Sequence, residues 1–393
     1  MRLPKQKTVH TEWLYTDCLA EQYHVQVFSE KHWKIIGNYI RTAVENGINM
    51  ILTPVITPEL DTYVGGERIT TQLVDITVEG DGGYSFDFGK LDRWIDLCLK
   101  NGVEYFEIPH FFSQWGAKNA PKIVATVNGR MKRIFGWETD ALGKEYSEFL
   151  ASFLPALVEH LELKGVAEKC CFHVSDEPHL VHIDHYKKCR ELIAPYLKNY
   201  TITDALSNYA FAEKGILSNP IPAIYHIQPF LDAGVSPLWT YYSGAHGCSD
   251  YTGRYLSMPS ARTRIVGIQM YMNNLSGFLH WGYNFWHTKL SYDVVDPLLS
   301  TDCGSFNPSG DCFLVYPGEE GQPWESLRLN AMREAMEDIR MLELYESVFG
   351  RERTLQMVLE ESGGVLTLKD YPKESDFFFK LQTRVVSDLT GNA

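Results

Sequence analysis

Apolar residues along the chain recur first at helical spacing and then in short continuous runs, and this unit repeats several times. In its first copy, apolar residues three or four positions apart from Trp33 to Val44 predict an amphipathic helix. Asn46-Gly47 then supplies a left-handed helix stop, and the apolar run at residues 48–55 predicts a buried strand. Similar copies cover residues 91–110, 154–174, 186–204 and 264–285.

The alternation of helices with short buried strands predicts parallel strand pairing through right-handed crossovers. Two architectures fit this pattern, a doubly wound sheet and a closed (β/α)8 barrel. The candidate strands begin near Trp13, Asn49, Val103, Cys171, Tyr200, Ile224, Leu238 and Phe278. Because these are eight in number and no dinucleotide-binding G-x-G-x-x-G follows any of them, we predict an α/β protein built on a (β/α)8 barrel of the TIM type.

Two segments depart from this repeat. Residues 68–88 alternate in polarity around Gly82-Gly83, which predicts a β-hairpin inserted in the loop after strand two. Past residue 323 the pattern is wholly helical. No linker rich in Pro, Gly or Ser interrupts the sequence, so we predict a single domain over residues 1–393, with the barrel at about 9–347 and a helical C-terminal extension at about 348–393.

Composition and charge narrow the classes of partner. The 393 residues carry a net charge of −14, with 45% hydrophobic and 22% charged residues. This balance is typical of a folded globular protein, and the negative charge disfavours nucleic acid and anionic membranes. The longest uncharged stretch, residues 265–288, contains Asn, Gln, Ser and His side chains, so we predict no membrane span.

The N-terminus and the cysteines bear on the cellular compartment. Residues 1–20 lack the continuous apolar core of a signal peptide. The eight cysteines, at positions 18, 98, 170, 171, 189, 248, 303 and 312, follow no C-x-x-C spacing. We therefore expect reduced thiols and a cytoplasmic protein, while the sequence leaves the oligomeric state open.

Polar and aromatic side chains collect where the predicted barrel strands end. In such barrels the reactive groups come from the C-terminal ends of the strands and from the loops after them. The predicted strand ends lie at residues 15–17, 109–111, 171–178, 204, 226–229, 239–242 and 281–286. Because Trp, Tyr, His, Asn, Gln and carboxylates crowd these positions, we expect a site for a polar ligand with apolar faces.

Asp176 and Glu177 are the sharpest candidates, because they stand side by side at the predicted end of strand four. Two adjacent carboxyl groups raise each other's proton affinity, so one can stay ionised while the other donates a proton. The alternative is structural, since an Asp-Glu pair before a proline is often a solvated helix entry in which Asp176 caps the next helix. Pro178 favours an extended backbone at Glu177, which keeps the pair at the strand end and favours catalysis.

The segment from Trp281 to Trp286 combines flat apolar rings with the Asn284 amide. Sugars need this combination, because their C–H faces lie on aromatic rings and their hydroxyls form hydrogen bonds. Barrel packing is the alternative interpretation. If the segment is a strand, side chains of one parity point inward and the others point to the outer helices, and the sequence does not show which set faces in.

A rival set is formed by His173, Asp176, His179, His182 and His185, whose composition suggests a metal site. No H-E-x-x-H motif is present, and His182 and His185 stand on a predicted helix that leaves the barrel mouth. The acidic residues between 293 and 311 likewise lack the order of a calcium-binding loop. We therefore predict no metal and no cofactor.

Four segments resemble the catalytic domain of glycoside hydrolase family 123, the β-N-acetylgalactosaminidase family. They are SDEP at 175–178, GFLHWGYNFW at 277–286, DCFLVYPG at 311–318 and the helix at 326–346. The resemblance covers about residues 9–347 and implies the same (β/α)8 barrel. Members of that family usually carry a β-sandwich domain ahead of the barrel, whereas this sequence starts almost at the barrel.

The resemblance implies retaining hydrolysis of a terminal β-linked N-acetylgalactosamine in which the acetamido group of the substrate is the nucleophile. It places the catalytic pair on Asp176 and Glu177. On this reading Glu177 protonates the glycosidic oxygen and then activates water, while Asp176 holds the acetamide N–H and stabilises the oxazolinium ion. Tyr241 or Tyr242 would hold the acetamido oxygen.

The implied partner is a carbohydrate, a β-N-acetylhexosaminide of a glycan or glycolipid. Position alone suggests further substrate-binding residues: His110, Asp204, Trp281, Tyr283, Asn284 and Trp286. A β-N-acetylglucosaminidase or another N-acetylhexosaminidase is an alternative, because the recognition of one axial or equatorial hydroxyl depends on side chains that the sequence does not place. A sugar-binding barrel without turnover is the second alternative.

Overall fold

The structure is a computed structural model that describes residues 2–244 and 250–391. Its strands are, in chain order, β1 (Val9–Glu12), β2 (Met50–Leu52), β3 (Asp75–Val78), β4 (Tyr84–Asp87), β5 (Tyr105–His110), β6 (Ile123–Val127), β7 (Arg130–Phe135), β8 (Cys170–His173), β9 (Thr201–Ala205), β10 (Asn219–Ile221), β11 (Trp239–Tyr241), β12 (Gly277–His280), β13 (Val315–Pro317) and β14 (Pro323–Glu325). Its α-helices are α1 (Thr16–Gln22), α2 (Glu30–Glu45), α3 (Gly89–Asn101), α4 (Lys144–Leu163), α5 (Ile183–Ile193), α6 (Ala210–Glu213), α7 (Gln228–Asp232), α8 (Ser260–Met272), α9 (Leu327–Phe349), α10 (Arg351–Glu361) and α11 (Asp376–Thr390).

Eight parallel strands form a nearly closed barrel with helices between them, which confirms the predicted (β/α)8 fold. They pair in the order β10-β9-β8-β5-β2-β1-β12-β11. The two outer strands of this order meet through a single parallel bridge between Ala223 and Tyr241. Because the barrel strands follow one another around the ring, all their C-terminal ends meet at one mouth.

Three strand boundaries differ from the sequence prediction. The first strand ends at Glu12, and Thr16 already begins α1. The sixth strand is Asn219–Ile221 rather than a run from Ile224, because its central residue is Pro220, whose missing N–H weakens the strand signal. The eighth strand ends at His280, so the aromatic segment 281–286 belongs to the loop after it.

The predicted hairpin after strand two is present, and it belongs to a larger sheet. β3 and β4 pair antiparallel, and they join β6 and β7 from the loop after β5 in the order β4-β3-β6-β7. The sequence carried a signal for the second hairpin, since Asn128-Gly129 is a favoured two-residue turn and both residues have positive φ here (51° and 73°). This sheet lies beside the barrel mouth because both hairpins extend loops that leave C-terminal strand ends.

Local chemistry sets the ends of the barrel helices. The Ser29 hydroxyl accepts a hydrogen bond from the His32 N–H and caps α2. α3 stops at Gly102, whose φ of 93° is the left-handed conformation that the Asn-Gly sequence predicts. α8 and α9 approach closely at Gly267, where an added Cβ would lie 2.1 Å from the Ala335 carbonyl oxygen.

From Leu327 onward the chain forms α9, α10 and α11, with a loop at residues 362–375 between the last two. α9 packs along α8, and α10 and α11 pack on α9. Among the described residues, no helix is long and apolar enough to cross a membrane. Seven of the cysteines are free and buried, and Cys248 lies outside the described residues.

Candidate active site

Asp176 and Glu177 lie at the C-terminal mouth of the barrel, directly after β8. The segment is held from both sides, because the Trp115 N–H donates to the Asp176 carbonyl oxygen (2.8 Å) and the Glu177 N–H donates to the Ala205 carbonyl oxygen (3.0 Å). Glu177 has a φ of 42°, in the left-handed region that residues with a side chain rarely adopt, which corrects the extended backbone predicted from Pro178. Backbone strain of this kind clusters at functional sites, where the surrounding structure enforces it.

Asp204, one of the predicted binding residues, lies fully buried beneath this segment. Its carboxylate accepts hydrogen bonds from the backbone N–H groups of Val174 (3.1 Å) and Ser175 (3.4 Å). The Tyr186 hydroxyl donates to the same carboxylate at 2.5 Å. Asp204 therefore positions the backbone that carries Asp176 and Glu177, and it is not among the residues that line the cavity above.

His173 sits between two buried carboxylates under the mouth. Its Nδ1 lies 3.1 Å from Asp204 Oδ1, and its Nε2 lies 2.9 Å from Glu107 Oε1. Burial opposes a charge on His173, but hydrogen bonds to Asp204, Cys171 and Glu107 raise its pKa well above the usual value. The raised pKa favours the imidazolium form of His173, whose charge would balance the carboxylates of the barrel interior.

His110, another predicted binding residue, is buried against His173, with ring centroids 4.4 Å apart. Burial and the neighbouring His173 charge hold the pKa of His110 well below its usual range. It is a neutral ring in the barrel floor and does not line the cavity.

A cavity of about 220 Å³, called here the mouth cavity, opens above this floor and is lined by Asp176, Glu177, Tyr241 and Trp281. The structure thus brings together four of the predicted site residues. Further lining side chains are Trp13, Asp61, Trp115, Ser243, Lys289, Phe306 and Asn307. Carboxylates beside aromatic rings form the polar site with apolar faces that the sequence predicted.

Glu177 also faces a second cavity, of about 280 Å³, called here the side cavity. The side cavity is lined by Tyr241, His179, Asn208 and His226 as well as Glu177. The Tyr241 hydroxyl donates a hydrogen bond to Glu177 Oε1. Glu177 and Tyr241 therefore stand where the two cavities meet.

Two carboxyl groups of the mouth cavity, those of Asp176 and Asp61, have pKa values above the usual range. Burial, together with the charges of Glu177 and Asp61, raises the pKa of Asp176 well above its usual value. Burial also raises the pKa of Asp61 to about 7, against the opposing charge of Arg68. A cationic group in this cavity would be attracted to Asp176 and would favour its ionised form.

Four side chains expected in the binding site point away from the mouth cavity, which corrects that expectation. Tyr242 donates to Met332 Sδ on α9 (3.2 Å), and Tyr283 donates to the Tyr39 carbonyl oxygen on α2 (3.1 Å). The Asn284 amide is bound to the backbone of Tyr15 through its oxygen (2.8 Å) and its nitrogen (3.0 Å). Trp286 packs edge-on against Tyr39. Because the segment is a loop, strand alternation does not decide which of its rings faces in.

The sequence pattern does not indicate Asp61 and Trp115, which line the mouth cavity from the loops after β2 and β5. Neither residue stands in a periodic segment, so hydrophobic patterning gave no signal for them. Trp115 stands four residues after the predicted end of strand three at residues 109–111, and extending the strand-end rule by a few residues would have included it.

Within residues 2–244 and 250–391, two groups of side chains have donor atoms close enough together to hold a metal ion. One group is His110, His173 and Asp204, and the other is Cys18, Glu21 and His287. In the first, His173 lies between two carboxylates that raise its pKa, and the protonated form that this favours does not ligate a metal. In the second, His287 Nε2 lies 2.6 Å from Glu21 Oε2, and burial raises the pKa of the Cys18 thiol, which disfavours the thiolate that binds metals. The rival set with His179, His182 and His185 does not meet this geometry among the described residues.

A parallel (β/α)8 barrel with carboxyl groups and aromatic rings at its C-terminal mouth has the architecture and the site of a glycosidase. The chain belongs to glycoside hydrolase family 123, because the model of the glycoside hydrolase 123 catalytic domain matches residues 13–345. The family predicted from the four sequence segments is thereby confirmed.

The solved structure of one family 123 enzyme shares this fold, and two family 5 enzymes match more weakly. A family 123 glycoside hydrolase from Clostridium perfringens, described in connection with glycolipid glycan hydrolysis, has a TM-score of 0.71 and 18% identity, over 99% of this chain and 70% of that chain. A family 5 lichenase from Caldicellulosiruptor sp. F32 has a TM-score of 0.45 and 9% identity, over 85% and 96% of the two chains. A family 5 mannosidase from Rhizomucor miehei has a TM-score of 0.42 and 10% identity, over 86% and 95%. A comparison with curated protein sequences gives no match.

Proposed function

We propose that the protein removes terminal β-linked N-acetylgalactosamine with retention, and that the acetamido group of the substrate acts as the nucleophile. The observation that carries this proposal is the pairing of Asp176 and Glu177 in one cavity, with Glu177 at its junction with a second cavity. Adjacent carboxyl groups suit this chemistry because each one addresses a different atom of the same sugar.

Glu177 is the acid and then the base. With the N-acetyl sugar in the mouth cavity and the leaving group in the side cavity, the glycosidic oxygen lies between them, next to Glu177. Glu177 protonates this oxygen as the bond to C1 breaks, and the acetamido oxygen forms a bond to C1 from the opposite face. In the second step Glu177 takes a proton from the water that opens the oxazolinium ion.

Asp176 accepts a hydrogen bond from the acetamide N–H and stabilises the oxazolinium ion as positive charge develops on it. Its raised pKa supports this role, because a positive charge beside a buried carboxyl group that lies near other acids strongly stabilises its ionised form.

Tyr241 holds the acetamido oxygen, because it lines the mouth cavity whereas Tyr242 is bound to Met332. Trp281, Trp115 and Phe306 supply the apolar faces on which the ring rests. The glycans of glycolipids are the substrate class that we propose, as the family 123 enzyme from Clostridium perfringens is described for glycolipid glycan hydrolysis.

The test uses the nitrophenyl β-glycosides of N-acetylgalactosamine, N-acetylglucosamine and galactose. We expect turnover of the first with net retention at C1, slower turnover of its gluco epimer, and no turnover of plain galactoside, which lacks the internal nucleophile. Equal rates on the galactoside and the N-acetylgalactosaminide would contradict a mechanism in which the acetamido group is the nucleophile. Faster turnover of N-acetylglucosaminide would establish the glucosaminidase alternative, and binding without any turnover would establish a sugar-binding barrel.

A further inference from the structure

A third carboxyl group lies in the mouth cavity, and the catalytic scheme above does not use it. Asp61 stands on the long loop between β2 and β3 and lines the cavity together with Asp176 and Glu177. It is close enough to both acids to interact with them, since the charge of Asp61 raises the pKa of Asp176 and the charge of Glu177 raises the pKa of Asp61.

The backbone of Asp61 is fixed on both sides. Its N–H donates to Gln114 Oε1 at 2.6 Å, and its carbonyl oxygen accepts a hydrogen bond from the Ser291 hydroxyl at 2.8 Å. The residue has a φ of 50°, a left-handed conformation that costs free energy for a residue with a side chain. Two neighbouring loops therefore enforce a strained backbone that directs this side chain to the cavity.

The carboxylate itself has no partner in the protein. Among the hydrogen bonds and ion pairs of residues 2–244 and 250–391, none involves either carboxylate oxygen of Asp61. The cation whose charge acts on it, Arg68, is committed to Asp17 through two hydrogen bonds of 2.6 and 3.0 Å. A half-buried carboxylate without donors is unfavourable, and burial accordingly raises its pKa to about 7.

We propose that Asp61 is a sugar-recognition residue, which accepts hydrogen bonds from ring hydroxyls of the N-acetyl sugar in the mouth cavity and thereby selects which hexosamine is held. This inference rests on the proposed function for the identity of the sugar. A polyol supplies the donors that the carboxylate lacks, and the aromatic walls exclude water from the contact. The acetamide N–H is not the donor, because Asp176 takes it.

Such a contact requires the ligand to carry a hydroxyl that donates a hydrogen bond to the Asp61 carboxylate. A sugar without the recognised hydroxyl leaves the carboxylate desolvated and unpaired, and buried polar groups left in this way discriminate strongly against the incomplete ligand. Asp61 is thus the residue that we expect to separate hexosamines that differ at a single hydroxyl.

The experiment measures binding without turnover. Calorimetry compares the methyl β-glycoside of N-acetylgalactosamine with its 3-, 4- and 6-deoxy analogues, on the wild type and on Asp61→Asn and Asp61→Ala. On the wild type, we expect removal of one ring hydroxyl to weaken binding on the order of 10- to 100-fold, as for a hydrogen bond to a charged group. On Asp61→Ala, the same removal should change binding less than about 2-fold, while the other two analogues keep their wild-type ratios.

The two substitutions of Asp61 and a control substitution separate the loss of the recognition contact from a general effect of losing a charge. Asp61→Asn keeps the shape of the side chain and the acceptor oxygen, so it should retain part of the discrimination that Asp61→Ala loses. Asp81→Asn removes the same charge from the exposed hairpin turn of the same insertion and should behave as the wild type. Thermal melts establish that each variant is folded.

Three outcomes overturn the inference. The first is that every analogue loses the same affinity on the wild type and on Asp61→Ala. The second is that no sugar binds saturably to the wild type. The third is that Asp61→Ala abolishes turnover of a plain galactoside that the wild type cleaves, which makes Asp61 a nucleophile and also removes the proposed function. If coupling to one hydroxyl is found but no glycoside is hydrolysed, the proposed function fails while the recognition role stands.

Discussion

The Tyr241 hydroxyl donates a hydrogen bond to Glu177 Oε1 at the place where the mouth cavity and the side cavity meet. This contact joins the end of β11 to the residue that follows Asp176 after β8, across the barrel mouth. A hydrogen bond between a buried tyrosine and a carboxylate fixes the direction of both groups. In the mechanism that we propose, the hydroxyl turns from Glu177 to the acetamido oxygen when the sugar enters, and Glu177 then holds a proton for the leaving group.

Replacing Tyr241 by Phe therefore tests which partner the hydroxyl serves during catalysis. We expect kcat/KM to fall on the order of 10- to 100-fold, with a similar loss for good and poor leaving groups, because the acetamido oxygen is needed for both. The affinity for an N-acetylgalactosamine thiazoline, which resembles the oxazolinium ion, should fall with it. Unchanged thiazoline binding together with a loss confined to poor leaving groups would show that Tyr241 serves only Glu177. Tyr242→Phe is the matched control, since Tyr242 points to Met332.

Replacing Glu177 by Gln removes the proton donor. A general acid contributes on the order of 10²–10⁴-fold, so we expect a loss of this size for a poor alcohol leaving group. The loss should be much smaller for a nitrophenol, which departs without protonation. Steady-state rates on a series of aryl and alkyl β-N-acetylgalactosaminides check this dependence. An equal loss across the series would contradict the assignment of Glu177 as the acid.

Replacing Asp176 by Asn acts on the intermediate instead of the leaving group. We expect a large loss of kcat/KM that is the same in kind for nitrophenyl and alkyl substrates, with weaker thiazoline binding. Asp184→Asn removes an exposed carboxylate from the first turn of α5 nearby and should leave both quantities unchanged. If Asp176→Asn keeps full affinity for the thiazoline, Asp176 does not stabilise the oxazolinium ion.

Local sequence patterning was sufficient to predict the barrel and to place Asp176 and Glu177 at its mouth. Helical stripes and buried runs depend on nearest neighbours in sequence, and residue order then places all strand ends, including that of Asp176 and Glu177, at one mouth. The same reasoning could not orient residues 281–286, because that segment is a loop whose side chains are directed by contacts with Tyr15, Tyr39 and Cys312.

Asp61 is a clearer example of a site residue that the sequence could not predict. Nothing near it in sequence marks it as a site residue, and its place depends on Gln114 and Ser291, which lie on two other loops. Long-range loop packing of this kind has no period that a single sequence reveals. Strand periodicity therefore predicts which residues lie at the rim of the barrel, whereas the loop residues that line the cavity can be identified only in the folded chain.

A buried ion pair inside the barrel predicts acid sensitivity. Arg254 Nη1 lies 2.7 Å from Glu12 Oε2, and His10 Nε2 lies 3.2 Å from Glu12 Oε1. Burial alone would raise the pKa of Glu12. Arg254, His10 and His280 together lower it by a larger amount, so that the pKa falls to about 2. Because the folded pKa is below the unfolded value of 4.5, this stabilisation is complete above pH 4.5 and is lost as the pH falls toward 2. The difference corresponds to about 3 kcal/mol of unfolding free energy.

The same ion pair holds part of the active-site wall, so acid should affect substrate binding as well as stability. Arg254 also donates to the carbonyl oxygens of Gly282 (2.5 Å) and Asp311 (2.8 Å), on the loops that carry Trp281 and Asn307. Glu12→Gln leaves Arg254 buried and uncompensated, so we expect it to destabilise the protein by about 3–5 kcal/mol at pH 7 and to raise KM. Its unfolding free energy, from urea titrations at pH 7 and at steps between pH 4.5 and 2.5, should then vary less with pH than that of the wild type. Glu30→Gln, which breaks an exposed pair with Arg93, should leave stability and KM near the wild-type values. If Glu12→Gln loses stability in acid as steeply as the wild type, another carboxylate controls the acid transition.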